Sequence, residues 1–247
     1  MTYAELVETA KKEICARKHY GNSKLVFDKC ETWLNSDQIN LYAYWQGYQI
    51  ENKEDGIDIL LVGQDWGHNP DHDPAYLADL KRIRLGIDKE PKRDSTNITN
   101  NNLGEMFSYL GIDIYKYDCG KRVFFTNYSL GYRPVDVSES GLMTPDLLKQ
   151  DKKLFEMLVE VLKPKVIICL GQMVYETVSE KYTVENNRSI WKKHLSTGEP
   201  FRAEYPLNRS IKVYGVPHCG RLGVINVGGK ANMVNIWKSI AEEIETI

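Results

Sequence analysis

The chain has 247 residues, 42% hydrophobic and 27% charged, with 18 Gly and 9 Pro. That balance excludes disordered, collagenous and coiled-coil classes, and the length suffices to bury a sizeable core. Its 32 Lys and Arg against 34 Asp and Glu leave a net charge of -2, which is not the footprint of a tight, sequence-blind nucleic-acid binder.

In chain order, residues 1–54 read as a helical N-terminal extension. Leu6, Ala10 and Ile14 recur at the helical period, and aromatics follow at Trp33, Tyr42, Tyr44 and Trp45. The start has no continuous apolar core, so no secretory signal is read there, and the longest apolar runs are far shorter than a bilayer span. Gly56 precedes an apolar strand over 57–62, closed by Gly63. A polar loop with His68, Pro70 and Pro74 comes next, then a basic stretch of Lys81, Arg82, Arg84, Lys89, Lys92 and Arg93. A helix is expected around Leu103, Met106, Phe107 and Leu110, and Val123-Phe124-Phe125 is a second strand running into Thr126-Asn127.

Thr144-Pro145-Asp146 is a helix start, with a capping hydroxyl, proline at the first position and an early acid. Leu147, Leu154, Leu158, Val161 and Leu162 carry that helix to Pro164. Val166–Leu170 is a third strand, closed by Gly171 and followed by a helix through Val174 and Val178. A second basic run, Asn187-Arg188 into Lys192-Lys193-His194, reads with the first either as a solvated face or as a phosphate contact. Residues 211–216 make a fourth strand, and Met233, Ile236, Trp237, Ile240 and Ile244 mark a closing amphipathic helix.

Strands without polar alternation, separated by helices, predict an α/β fold whose parallel sheet is covered on both faces. Such sheets bind ligands at the carboxyl ends of their strands. The rule selects Gln64-Asp65, Thr126-Asn127, the turn after Leu170 and Pro217-His218, of which the turn after Leu170 reads as structural. Cysteines at 15, 30, 119, 169 and 219 form no C-x-x-C pair, so no metal or iron–sulfur site is expected. Cys169 reads as a small core residue, and the whole as a reduced, cytoplasmic chain.

Each strand end admits a chemical and a plain reading. Asp65 can hold a water against a reacting carbon, or it can simply close a turn. Asn127 offers donors and an acceptor in one plane, which suits a pyrimidine edge, but an Asn also caps turns. His218 can donate to a developing oxyanion, or be an idle loop residue. Cys219 beside it raises a thiol nucleophile, although neighbours in extended chain point apart.

Taken together, Gly63-Gln64-Asp65-Trp66-Gly67, Val123–Asn127 with Tyr132-Arg133-Pro134 downstream, Leu162–Gly171 and Val216–Leu222 resemble the uracil-DNA glycosylase superfamily. The likeness spans roughly residues 55–225, and its layout is nearest the iron–sulfur members, whose four cluster cysteines are missing. It implies one three-layer α/β/α domain over 1–247 with a four-stranded parallel sheet. It further implies a monomer acting on DNA that contains uracil or a modified pyrimidine, by base flipping and water attack, with no cofactor and no membrane.

By that resemblance Asp65 would position the water and steady the cationic sugar, and His218 would stabilise the leaving base's carbonyl oxygen. Asn127 would read the base, Gln64, Trp66 and Gly67 would complete its pocket, and Gly220, Arg221 and Leu222 would contact DNA. Trp66 stands where many members carry proline. Gly67 stands where the most stringent uracil enzymes carry a tyrosine that blocks the thymine methyl, which predicts a roomier pocket for 5-substituted uracils. Cys219-Gly220-Arg221 replaces the usual Pro-Ser-Pro. No downstream phenylalanine matches the family's base-stacking residue, for which Tyr76 and Phe107 are poor stand-ins. Two other readings stand beside it: an inactive nucleic-acid or partner-binding relative, and a hydrolase of free nucleosides or nucleotides.

Overall fold

The computed structural model describes residues 1–15, 56–68, 97–116, 119, 122–130, 132–133, 143–182 and 188–244. Within them the elements run α1 (Tyr3–Cys15), β1 (Ile59–Gly63), β2 (Trp66–His68), α2 (Ile98–Tyr109), β3 (Val123–Asn127), β4 (Tyr132–Arg133), α3 (Pro145–Lys149) and α4 (Lys152–Leu162). They continue with β5 (Val166–Leu170), α5 (Gln172–Ser179), α6 (Arg188–Leu195), β6 (Phe201–Tyr205), β7 (Asn208–Val216), α7 (Arg221–Asn226) and α8 (Lys230–Ile244). The basic stretch at 81–93, Tyr76 and the aromatics from Trp33 to Trp45 lie outside the described residues.

Every residue of β1 and of β5 is buried. Successive strand side chains point to opposite faces, so both faces of these strands are covered. They sit in a sheet of order β3-β1-β5-β7-β6, with helices around it. The first four strands are parallel, and β6 runs antiparallel to β7.

The expected four-stranded parallel sheet is therefore corrected to five strands with one antiparallel edge. Phe-Arg-Ala-Glu-Tyr in β6 alternates between exposed and buried positions, as an edge strand does, and lacks the continuous apolar run of its neighbours. Strand β7 begins at Asn208 rather than 211, because its polar first residues pair within the exposed end of that hairpin.

One long expected helix is divided. Thr144 caps α3, its hydroxyl accepting from the Leu147 N–H, and Pro145 takes the first turn. The helix then breaks at Gln150–Asp151 before α4. Asp151 is 1% exposed and its Oδ2 accepts from the Leu130 N–H at 3.1 Å, which ties the break to the chain leaving β3. Leu154, Phe155, Leu158, Val159 and Leu162 form the buried stripe of α4.

Helix α1 joins the same core. Leu6 and Ala10 are fully buried, Tyr3 meets Phe124 edge-on at 6.0 Å between ring centres, and Glu13 pairs with Lys153 of α4. Elsewhere α2 packs on α8 through Phe107 and Trp237, whose rings lie 5.3 Å apart. Phe107 is thus core and has no open face for a base. Among the described residues, no helix is long and apolar enough to cross a membrane.

Candidate functional site

The parallel strands end together, and their carboxyl edge collects the polar residues. Gly63, last in β1, is in register with Asn127, last in β3. The ladder continues past both: the Tyr128 N–H donates to the Gly63 carbonyl and the Ser129 N–H to the Gln64 carbonyl, each at 2.9 Å. Asn127 is 6% exposed, and its carboxamide makes no hydrogen bond to a described residue. Its Oδ1 lies over Gly63 so closely that a Cβ there would meet it at 2.0 Å. Only glycine leaves room for the amide in that position. A nearly buried carboxamide with free valences is costly unless something else satisfies it, and such a group is a recognition element in waiting.

Asp65 follows one residue after Gln64, half-buried. The Gln64 side-chain Nε2 donates to Asp65 Oδ1 at 2.9 Å, which fixes the carboxylate's orientation. Trp66 and Gly67 continue into β2, where Trp66 is in register with Tyr132 of β4. This short parallel pair extends the chain segments leaving β1 and β3 beyond the main sheet.

His218 lies two residues beyond β7. Strand β5 separates β7 from β1, so two strand spacings, about 10 Å, divide the ends that carry Asp65 and His218. The chain here alternates as extended backbone should: Cys219 is fully buried while His218 is exposed. The Gly220 N–H donates to His218 Nδ1 at 2.9 Å. A ring nitrogen that accepts carries no proton, so the neutral imidazole holds its hydrogen on Nε2. Although the residue has an open face, protein packed around the ring disfavours the charged form and lowers its pKa. The result is a neutral imidazole whose free nitrogen is a donor.

Two residues that the sequence did not single out hold this loop. Asn102, on α2 and 7% exposed, donates from Nδ2 to the Cys219 carbonyl at 2.7 Å. Gly223 lets α7 sit directly on the His218 backbone, since a Cβ at 223 would lie 1.7 Å from the His218 oxygen. Asn102 was hidden in the run Asn100-Asn101-Asn102, which reads as turn formers. Gly223 carried no signal beyond its closeness to the histidine.

Burial pushes the Cys219 thiol up to about 12, so it holds almost no thiolate near neutrality and the thiol-nucleophile reading is set aside. Cys169 is fully buried and its thiol is raised likewise. After Gly220, α7 turns Arg221 and Leu222 outward, with Leu222 74% exposed. Of the second basic run, Arg188 and Lys193 face solvent on α6, opposite the buried Trp191 and Leu195, whereas His194 packs on the Phe201 ring, 4.1 Å between ring centres. Among the described residues, no group of His, Cys, Asp or Glu is arranged to hold a metal ion.

A fixed carboxylate, a seated carboxamide and a neutral imidazole donor thus share one edge of the sheet. Such a set can orient a water, read a hydrogen-bonding edge and neutralise a growing negative charge. No family model matches the chain, and no curated protein matches it.

Proposed function

We propose that the chain is a monofunctional DNA glycosylase of the uracil-DNA glycosylase type, built as a three-layer α/β/α domain and acting on uracil or a related pyrimidine in DNA. In this reading the target nucleotide leaves the stack and its base reaches the carboxyl edge of the sheet, between the ends of β1 and β7. Asn127 reads the pyrimidine edge. Asp65 orients a water toward the anomeric carbon and steadies the positive sugar as the bond to the base nitrogen breaks. That bond's electron pair departs on the base, and the His218 Nε2–H stabilises the resulting oxyanion. The water forms the new bond to the anomeric carbon and passes its proton to the Asp65 carboxylate. Leu222 and Arg221, outward on α7, would meet the duplex, and Gly67 beside the base leaves room for a 5-substituent.

The observation that carries this reading is the seating of Asn127. A nearly buried amide, held over a glycine and without a described partner, at the same strand ends as a carboxylate and a tautomerically fixed imidazole, suits an extruded base. The test is single-turnover cleavage of uracil-containing single- and double-stranded oligonucleotides, with 5-hydroxymethyluracil in the same panel. Alkali-labile sites are expected with the unmodified chain, and Asp65→Asn and His218→Ala should each slow their formation by about tenfold or more. Undiminished rates in both variants refute the assignment. Retarded DNA without abasic sites would make the chain a binding module, and turnover of free deoxyuridine alone would make it a nucleoside hydrolase.

A further inference from the structure

A second concave site lies at the opposite, amino edge of the sheet. A cavity of about 260 Å³ opens between the start of β1, the start of β5, the end of α2 and the last turn of α8. Its apolar side is made by Tyr109, Ile112, Ala241 and Ile244. Its polar side is an ion cluster: Arg122 Nε contacts Asp58 Oδ2 at 2.7 Å, and Lys165 Nζ lies 3.2 Å from Asp58 Oδ1. One carboxylate thus serves two cations. Arg122 also donates from Nη1 to the Gly111 carbonyl. Its Nη2 donates to no described residue, and the Lys165 ammonium has donors to spare beyond Asp58.

Against the cost of partial burial, Arg122 and Lys165 hold the Asp58 carboxyl below its usual value, so at neutral pH it is ionised, and the two cations still outnumber the one carboxylate. Apolar walls with a few convergent donors and an excess of positive charge are the makings of a site for an amphipathic anion. The volume limits the body of such a ligand to a small ring system or a short branched chain.

We propose that this cavity binds a small apolar molecule bearing a carboxylate or similar anionic head, with the head on Arg122 and Lys165 and the body against Tyr109, Ile112 and Ala241. The site lies at the far end of the strands from Asp65, Asn127 and His218, so either site can fail without the other. No part of the site was legible in the sequence as a motif: its cations are single residues just before two strands, and its walls are helix ends.

The experiment is titration of the full chain, methyl-labelled at isoleucine, with 2-naphthoate and with the uncharged 2-naphthamide, followed by NMR. The Ile112 and Ile244 methyls should shift saturably with naphthoate, and naphthamide should bind about tenfold or more weakly. Added salt should weaken the naphthoate alone. Lys165→Met should weaken naphthoate toward the amide's affinity. Ala241→Trp, which fills the cavity and leaves the charges in place, should abolish both; Ala241→Leu serves if the larger residue disturbs the remaining methyl spectrum. Equal binding of acid and amide, shifts confined to methyls elsewhere, or undiminished binding in the filled variant would overturn the proposal.

Discussion

Replacing Gly63 by alanine tests the geometry on which base reading depends. The new Cβ would stand 2.0 Å from Asn127 Oδ1 and 3.2 Å from Cγ, where ordinary contact begins at 3.4 Å. Backbone movement cannot relieve this cheaply, because Gly63 and Asn127 are register partners in paired parallel strands and the ladder continues at Tyr128 and Ser129. The carboxamide must therefore leave its seat. Forcing an extra methyl into a packed site costs about 1–3 kcal/mol. The figure belongs to the pair and not to the glycine: Gly63 has no positive φ, so alanine fits its backbone once the amide is gone. Gly63→Ala should cost about 1–3 kcal/mol in the natural background and close to nothing in an Asn127→Ala background. Urea denaturation of the four proteins at constant m gives the coupling directly. Costs that add to within about 0.5 kcal/mol would show that Asn127 is not seated over Gly63. In the oligonucleotide assay Gly63→Ala should lose base release as severely as Asn127→Ala, and a fully active Gly63→Ala would remove Asn127 from the base-reading role.

The remaining predictions concern the His218 loop. Because its folded pKa lies below the ordinary 6.5, His218 binds fewer protons in the folded chain than in the unfolded one between the two values. Its contribution to stability is therefore complete above 6.5 and lost as pH falls through the folded value, where protonation of Nδ1 also breaks the Gly220 bond. Nitrogen NMR should find the Nε2–H tautomer and a midpoint under 6.5, and an Nδ1–H ring or a higher midpoint contradicts this. Asn102→Asp keeps the side chain's size but sets an acceptor against the Cys219 carbonyl. It should cost about 1–3 kcal/mol and be no milder than Asn102→Ala, whereas a harmless Asn102→Asp would mean the amide is not the clamp.

The parallel strands were legible because covering both faces demands apolar residues at every position, and Ile59–Val62 and Val166–Leu170 leave no other reading. Strand β6 escaped because an edge strand needs only one apolar face, and its turn at Pro206-Leu207 has none of the Asn-Gly chemistry that marks tight hairpins. The break before α4 escaped for another reason. Helical periodicity averages over a turn and does not register one residue, Asp151, whose carboxylate is committed to a backbone N–H twenty-one positions away. Asp65, Asn127 and His218 could be named because each lies at, or within two residues of, the end of a readable strand. Asn102 could not, because its partner is 117 residues distant.

The pair His218-Cys219 shows where chemistry passes from sequence to packing. Two neighbouring residues with nucleophilic or acid–base capacity give a sequence no means of choosing between them. The extended backbone after β7 points them to opposite sides, and the Asn102 clamp on the Cys219 carbonyl fixes which side is which. The inward thiol is pushed up to about 12, and the outward imidazole is held neutral with its donor free. The His218 loop therefore contributes a hydrogen-bond donor and no nucleophile. In the proposed reaction the nucleophile is therefore a water rather than a residue of this loop, and the role of orienting it falls to Asp65, whose Oδ1 accepts from Gln64 Nε2 just past β1.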